Sequence, residues 1–259
     1  MKQSDLLSPI ISALDGEVRR LAIVFFHVDQ EPGHPFELMR GSFNGDYGPV
    51  IKRSVLAARE VHPEAAVFML TDDLTQFADL PMTTIRLPMQ NRQWIMYERS
   101  RMQEAFARAW DAPALHLDTD ICINKRLDSL FNPALDIGVS YRGDIPYMPI
   151  NGGWLLCREP QKFAHFMADL HDTHNKLAEL SHWEDFDTRC FRGAQQALAL
   201  MLRDKSPGGY SNQIYPTKWG NIAVFDARIV NRTFNPLELL APPFCTHYKG
   251  GAKELLKAV

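Results

Sequence analysis

The stretch Leu115-His-Leu-Asp118-Thr-Asp120-Ile-Cys-Ile123 decides how this chain is read. Residues 114–117 are apolar enough for a buried strand, and the strand closes on two carboxylates separated by one residue. Residues i and i+2 of an extended chain point to the same side, so Asp118 and Asp120 can reach one divalent cation. Mg²⁺ or Mn²⁺ held by two acids keeps open positions that suit a diphosphate, whose charge it neutralises. The plain alternative is a polar strand end facing water. Apolar residues on both sides favour the first reading, because they place the acids at the edge of a sheet.

Upstream, residues 21–28 form a continuous apolar run rich in Val, Ile and Phe, residues 65–70 a second strand, and residues 84–87 a short strand candidate. Helical spacing lies between them: Val50, Ile51, Val55 and Leu56 within 49–60, and Met96, Arg99, Met102 and Phe106 within 94–110. Strand, helix, strand, helix, strand in this order calls for a mainly parallel sheet covered on both faces, with ligands beyond the C-terminal ends of its strands. Residues 1–20 read as a polar-to-amphipathic lead-in. The Gly/Pro-rich stretch 30–49 is long for a connection, as functional loops are. Downstream, strands are expected over 136–141, 152–157 and 222–225, helices over 160–177 and 193–202, and an extended tail over 242–250. With no repeat, linker or low-complexity tract, 1–259 reads as a single α/β domain.

Composition narrows the partners. With 28 Lys+Arg against 31 Asp+Glu the formal charge is −3, which argues against affinity for nucleic acid through a general basic field. The cysteines, Cys122, Cys157, Cys190 and Cys245, show no C-x-x-C spacing, so neither a zinc ribbon nor a disulfide scaffold is expected. The longest apolar run, residues 21–26, is far short of the ~20 residues that span a bilayer. The opening Met1-Lys-Gln-Ser-Asp5 has no secretion-signal pattern, and a cytoplasmic location is the expectation.

Two further segments carry chemistry. In Pro149-Ile-Asn151-Gly152-Gly153-Trp154, adjacent glycines before an apolar strand permit close approach of a ligand to the backbone, and Asn151 offers a donor and an acceptor; a tight turn explains them equally well. In Thr246-His247-Tyr248-Lys249-Gly250-Gly251-Ala252-Lys253, an imidazole suits Mn²⁺, glycines let a loop fold over phosphates, and Lys supplies a compact positive charge. His171 and His174, three apart on a helical pattern with His165 nearby, are a rival metal site without a completing acid or Cys at familiar spacing.

Taken together, these segments resemble the GT-A nucleotide-sugar glycosyltransferases, and among them the retaining family of glycogenin and the bacterial lipopolysaccharide galactosyltransferases. Leu117-Asp118-Thr119-Asp120 with Leu127-Asp-Ser-Leu130 resembles the D-x-D strand and the segment after it. Asn151-Gly152-Gly153 matches the later N-x-G segment, and His247, Gly250 and Lys253 match the tail pattern His-x-x-Gly-x-x-Lys. The resemblance implies a GT-A fold and a metal-dependent transfer of a sugar from a nucleotide-diphosphate donor, by preference a UDP-sugar, to an acceptor hydroxyl on a saccharide, lipid-linked or protein acceptor. It leaves peripheral membrane contact open. Asp118, Asp120 and His247 would hold Mn²⁺ or Mg²⁺ and Lys253 the diphosphate. Thr119, Gly250, Asn151 and Gly152 would line the donor, with Asp72 at the base or ribose. Arg101, with Arg99 as the alternative, would reach the donor from the preceding helix.

The sequence departs from the family in two places. Glu254-Leu255 follows the tail lysine where relatives carry Pro-Trp. Gly193-Ala194-Gln195-Gln196 stands where relatives open the late helix with Asp-Gln, which leaves Gln195 as the remnant and Glu184 and Asp187 as candidate replacements for the missing acid. A degenerate GT-A domain that binds a nucleotide sugar or a partner without turnover, and a sugar-nucleotide nucleotidyltransferase, are the alternatives. The second lacks its Gly-rich phosphate loop after the first strand.

Overall fold

The computed structural model describes residues 4–18, 20–29, 46–92, 94–143, 149–180, 193–205, 213–237 and 241–257. Glu184 and Asp187, and most of the 30–49 loop, lie outside the described residues.

An eight-stranded sheet in the order β3-β2-β1-β4-β7-β6-β9-β8 forms the centre. The strands are β1 (Ala22–Phe26), β2 (Ala66–Thr71), β3 (Thr83–Arg86), β4 (Ala114–Asp118), β6 (Ile137–Tyr141), β7 (Ile150–Cys157), β8 (Gln213–Thr217) and β9 (Gly220–Asp226). The first half, β3-β2-β1-β4, is parallel throughout. Its crossovers include α2 (Gly48–Val61) between β1 and β2 and α3 (Ile95–Ala109) between β3 and β4. β7 then enters antiparallel beside β4, and β6 pairs antiparallel with β7 but parallel with β9. Burial on both faces explains the unbroken apolar runs. In β1, Ala22, Val24 and Phe26 belong to the core on one face, Ile23 and Phe25 to that on the other.

One core is closed by α3, α4 (Pro160–Leu180), α5 (Gly193–Met201) and α1 (Ser4–Ala13). The residues 1–20 lead-in is thus a corrected expectation. Leu6, Ile10 and Leu14 recur every four residues and are fully buried, and they hold α1 and the turn after it on the sheet core. The other core lies under α2 and a second sheet, β10-β11-β5, made of β10 (Arg232–Thr233), β11 (Cys245–His247) and β5 (Ile121–Ile123). β5 runs antiparallel to β11, with Ile121 opposite His247, so the tail is stitched to the strand that follows the two acids. A short helix α6 (Ala227–Val230) joins β9 to β10, and a 3-10 turn (Gly250–Lys253) with α7 (Glu254–Lys257) ends the described chain.

Candidate active site

Asp118 is the last residue of β4, Asp120 lies in the turn to β5, and His247 ends β11. These come from two distant parts of the chain, yet ligand atoms from all three lie within 4.8 Å of one another, the metal-competent cluster among the described residues. His247 Nε2 is 3.1 Å from Asp120 Oδ1 and 4.0 Å from Asp118 Oδ2. The backbone sets this approach, because the Tyr248 N–H donates to the Asp120 carbonyl at 2.8 Å.

Asp120 is buried, which by itself would favour the neutral acid. The charges and hydrogen bonds of His247 and Lys253 outweigh burial and hold its carboxyl far below the usual range, so it is ionised. Lys253 Nζ sits 2.9 Å from Asp120 Oδ2 and donates to the Tyr47 hydroxyl at 2.9 Å. That ammonium also lies 4.8 Å from the centre of the Tyr47 ring. Asp118 is held from the opposite side by Arg99, whose Nη1 donates to its Oδ1 at 2.5 Å while Nη2 donates to the Gly152 carbonyl at 2.6 Å.

The β7 segment is built around these carboxylates. Asn151, Gly152 and Gly153 lie within the strand, not in a turn before it, since β7 begins at Ile150. Asn151 Oδ1 accepts the Gly153 N–H at 3.0 Å, and Asn151 Nδ2 lies 3.5 Å from His247 Nδ1. A Cβ on Gly153 would stand 2.2 Å from Asp118 Oδ2, so that carboxylate occupies space which only glycine leaves. Gly152 borders Leu198 and Gln195 of α5, where a Cβ would meet their side chains at 3.4 and 3.7 Å. Gln195 Oε1 is buried and, among the described residues, makes no hydrogen bond.

The residues fit a divalent cation. Two carboxylates and one imidazole form an ordinary donor set, and their ligand atoms converge, with His247 Nε2 3.1 Å from Asp120 Oδ1 and 4.0 Å from Asp118 Oδ2.

The other residues singled out from the sequence fall around this centre. The Thr119 carbonyl accepts a hydrogen bond from Ser54 of α2 at 2.7 Å, which braces the turn between the acids. Gly250 takes a φ of +51°, the left-handed region glycine favours, and opens the 3-10 turn that delivers Lys253. Asp72, after β2, is buried; its Oδ1 accepts the Thr75 N–H at 2.9 Å and its Oδ2 lies 2.6 Å from Arg92 Nε. Arg92 also donates to the Asp29 carbonyl at 2.8 Å, so Arg92 ties together the loops after β1 and β2. Arg101 is not brought to the cluster. Its guanidinium clasps the fully buried Glu98 and the Pro88 carbonyl, while Arg99, two residues earlier on the helix, faces the acids. His171 and His174 pack on Tyr97, with ring centroids 4.7 and 5.7 Å away, and among the described residues they join no metal-competent group.

Arg92 and Tyr47 were not singled out by sequence reasoning. Tyr47 sits in the stretch read as an irregular loop, and only the lysine that reaches it from the other end of the chain marks it.

The large, mainly parallel sheet flanked by helices, with acids at the C-terminal end of a central strand, has the GT-A fold. The chain is similar in structure to a glycosyltransferase involved in glycosylation of the major capsid of PBCV-1, at 14% identity over 92% of this chain and 98% of that one, with a TM-score of 0.55. It is also similar to the glycosyltransferase GlyE of Streptococcus pneumoniae TIGR4, at 14% identity over 91% of this chain and 59% of GlyE, with a TM-score of 0.54. The third similar structure is a glutamine-to-glutamate active-site mutant of LgtC, at 13% identity over 92% and 95% of the two chains, with a TM-score of 0.52. The chain therefore spans about three fifths of GlyE and nearly all of the other two. No protein-family model matches the sequence, and no curated protein does.

Proposed function

We propose that this protein is a metal-dependent glycosyltransferase that moves a sugar, with retention of configuration, from a uridine diphosphate sugar to an acceptor hydroxyl. The observation that carries the reading is the junction of Asp118, Asp120, His247 and Lys253 at the C-terminal edge of a GT-A sheet. Asp118, Asp120 and His247 would hold Mn²⁺ or Mg²⁺, which supplies a Lewis acid for the charge that develops on the departing diphosphate.

The chain's own groups do the rest. Arg99 fixes the Asp118 carboxylate in one rotamer, so a ligand atom is ready without reorganisation. Lys253, paired with Asp120 and Tyr47, brings a second positive charge to the diphosphate side and excludes water there by its burial. Asn151 and Gly152 line the sugar side, where the bare backbone lets the ring approach closely. Gln195, whose carbonyl oxygen is buried beside Gly152 without a hydrogen bond among the described residues, is the group we assign to the reacting face of the sugar. The LgtC structure of similar fold, solved as an active-site glutamine mutant, supports looking to a glutamine here. We assign Asp72 to the ribose side; its pairing with Arg92 in the loop after β2 supports this. A saccharide, lipid-linked or protein hydroxyl is the acceptor; among the described residues no helix is long and apolar enough to cross a membrane.

The test is a panel of nucleotide sugars with Mn²⁺, scored by thermal stabilisation and then by nucleotide release with and without simple glycoside acceptors. A ligand at ~100 times its Kd adds about 2.7 kcal/mol of stability, readily seen in a melt. A UDP-sugar is expected to stabilise the chain only with the metal and to release UDP. Stabilisation without release would support the non-catalytic binding domain, and no stabilisation by any donor would overturn the proposal.

A further inference from the structure

On the side of β11 away from His247 lies an open cavity of about 450 Å³ between α2 and the three-stranded sheet. This volume falls within the range of about 300–1,000 Å³ that small-molecule sites occupy. Side chains of adjacent strand residues point to opposite faces. Cys245 therefore enters the core and His247 the acidic cluster, while Thr246 and Tyr248 line the cavity. The cavity is thus separated from the acidic cluster by one layer of strand.

Its lining has a definite chemistry. Arg53 of α2 and Arg232 of β10 bring two guanidiniums and Asn235 an amide, while the Asn124 amide donates within the lining to the Pro243 carbonyl and to Thr246 Oγ1 at 3.3 and 2.8 Å. Phe234 and Tyr248 stack on each other at 5.0 Å and 17°, and this aromatic pair borders the cavity. The acid in the lining is Glu60, whose Oε2 is 4.0 Å from Arg53 Nη1; at 73% side-chain exposure it contributes little pairing energy. Arg232 has a structural duty as well, donating to the Ala241 carbonyl at 2.6 Å. A net positive cavity bordered by an aromatic pair suits a ligand with an anionic group at one end and a hydroxylated ring at the other. Guanidiniums pair with carboxylate or phosphate, and the ring packs against the aromatic pair.

We propose that this cavity binds an anionic sugar, a monosaccharide-sized unit carrying a carboxylate or a phosphate, at a site distinct from the donor site. The anionic half rests on Arg53 and Arg232; the sugar half rests on the reading of the chain as a glycosyltransferase. The cavity is lined by β11, which carries His247, and by β5, which follows Asp120, and α2 reaches the Asp118–Asp120 turn through the Ser54 bond to the Thr119 carbonyl.

The experiment is calorimetric titration of the full chain with glucuronate and with glucose 6-phosphate, alongside glucose and inorganic phosphate, each with and without saturating UDP and Mn²⁺. At least one anionic sugar is expected to bind equally well in both conditions and about tenfold more tightly than glucose or phosphate. Glucuronate and glucose 6-phosphate separate a carboxylate site from a phosphate site. Arg53→Gln removes one charged hydrogen-bond donor from a part-exposed helix position and should weaken that binding about tenfold or more, leaving UDP affinity unchanged. Asn235→Trp, at an exposed position on the rim, should block it independently. Binding that UDP and Mn²⁺ displace, binding indifferent to Arg53→Gln and Asn235→Trp, or no heat up to about 10 mM of either anionic sugar would each overturn the proposal. If the chain takes up these sugars but not UDP, the donor-site reading fails while this site stands.

Discussion

Gly153→Ala adds one methyl group beside the metal-competent cluster, and the structure gives the size of the effect. The new Cβ would fall 2.2 Å from Asp118 Oδ2, 2.9 Å from its Cγ and 3.1 Å from Asn151 Oδ1. The carboxylate must retreat by about 1 Å to regain ordinary contact. Arg99 fixes its other oxygen at 2.5 Å, so it cannot swing away without breaking that ion pair or moving β7. Strain from overpacking of this kind costs about 1–3 kcal/mol. A displacement of about 1 Å in a catalytic group can cost about 100-fold in rate.

The expected outcome is a folded variant with a lowered melting temperature, Mn²⁺ affinity reduced by tenfold or more, and nucleotide release down by about 100-fold. Gly152→Ala is the internal control. Its Cβ would meet only Leu198 and Gln195 side-chain carbons, at 3.4 and 3.7 Å, and it should retain metal affinity. Titration calorimetry with Mn²⁺ on both variants distinguishes them. Equal affinity in Gly153→Ala and wild type would refute the placement of Asp118 and the ligand role derived from it.

Three other outcomes follow from the same geometry. Lys253→Met leaves buried Asp120 without its ammonium partner; breaking such a pair costs about 3 kcal/mol, so the metal-free protein should melt earlier and Mn²⁺ should restore much of the loss. Arg101→Leu exposes no donor contact but strands buried Glu98, so denaturant unfolding should show a loss of about 3–5 kcal/mol while Arg99→Gln, rather than Arg101→Leu, weakens Mn²⁺ binding. His116, in the middle of β4, stacks on Phe163 at 4.9 Å, has no hydrogen bond to either ring nitrogen, and is pushed down to about 3 by burial and the Arg99 charge. Its unfolded form takes up a proton below about pH 6.5 that the folded form refuses, so stability falls as the pH drops from 6.5 toward 3, by up to about 1.4 kcal/mol per unit. His116→Phe should flatten that part of the pH–stability curve, and an unchanged slope would count against the buried neutral imidazole.

The parallel half of the sheet was legible because strands buried on both faces leave apolar runs that nothing else in a chain of this composition explains. The acids at the end of β4 could be read for the same reason, as polar groups abutting such a run, whereas the tail His-x-x-Gly-x-x-Lys pattern was legible only through its resemblance to a family pattern. Shorter elements were not. β5, β10 and β11 have two or three residues each, and their pairing is set by tertiary contact with α2 and the core rather than by a pattern in the sequence. α1 was hidden by Pro9 and by polar neighbours, although Leu6, Ile10 and Leu14 keep its register. Arg99 and Arg101 differ in position by about 200° around a helix, so which one faces the acids depends on the helix's rotation, fixed here by Met102, Ala105 and Phe106 in the core. The lysine contact with Tyr47 joins residues 206 apart in sequence, beyond the reach of any local signal.

The most direct test of the central claim is the stoichiometry of Mn²⁺ binding, followed by the electron paramagnetic resonance of the free ion, in the presence of UDP. One Mn²⁺ per chain is expected for the wild type, with binding weakened by about 100-fold or more in Asp120→Asn and in His247→Ala, each of which removes a ligand. Full-strength binding of Mn²⁺ and UDP in both variants would contradict the account.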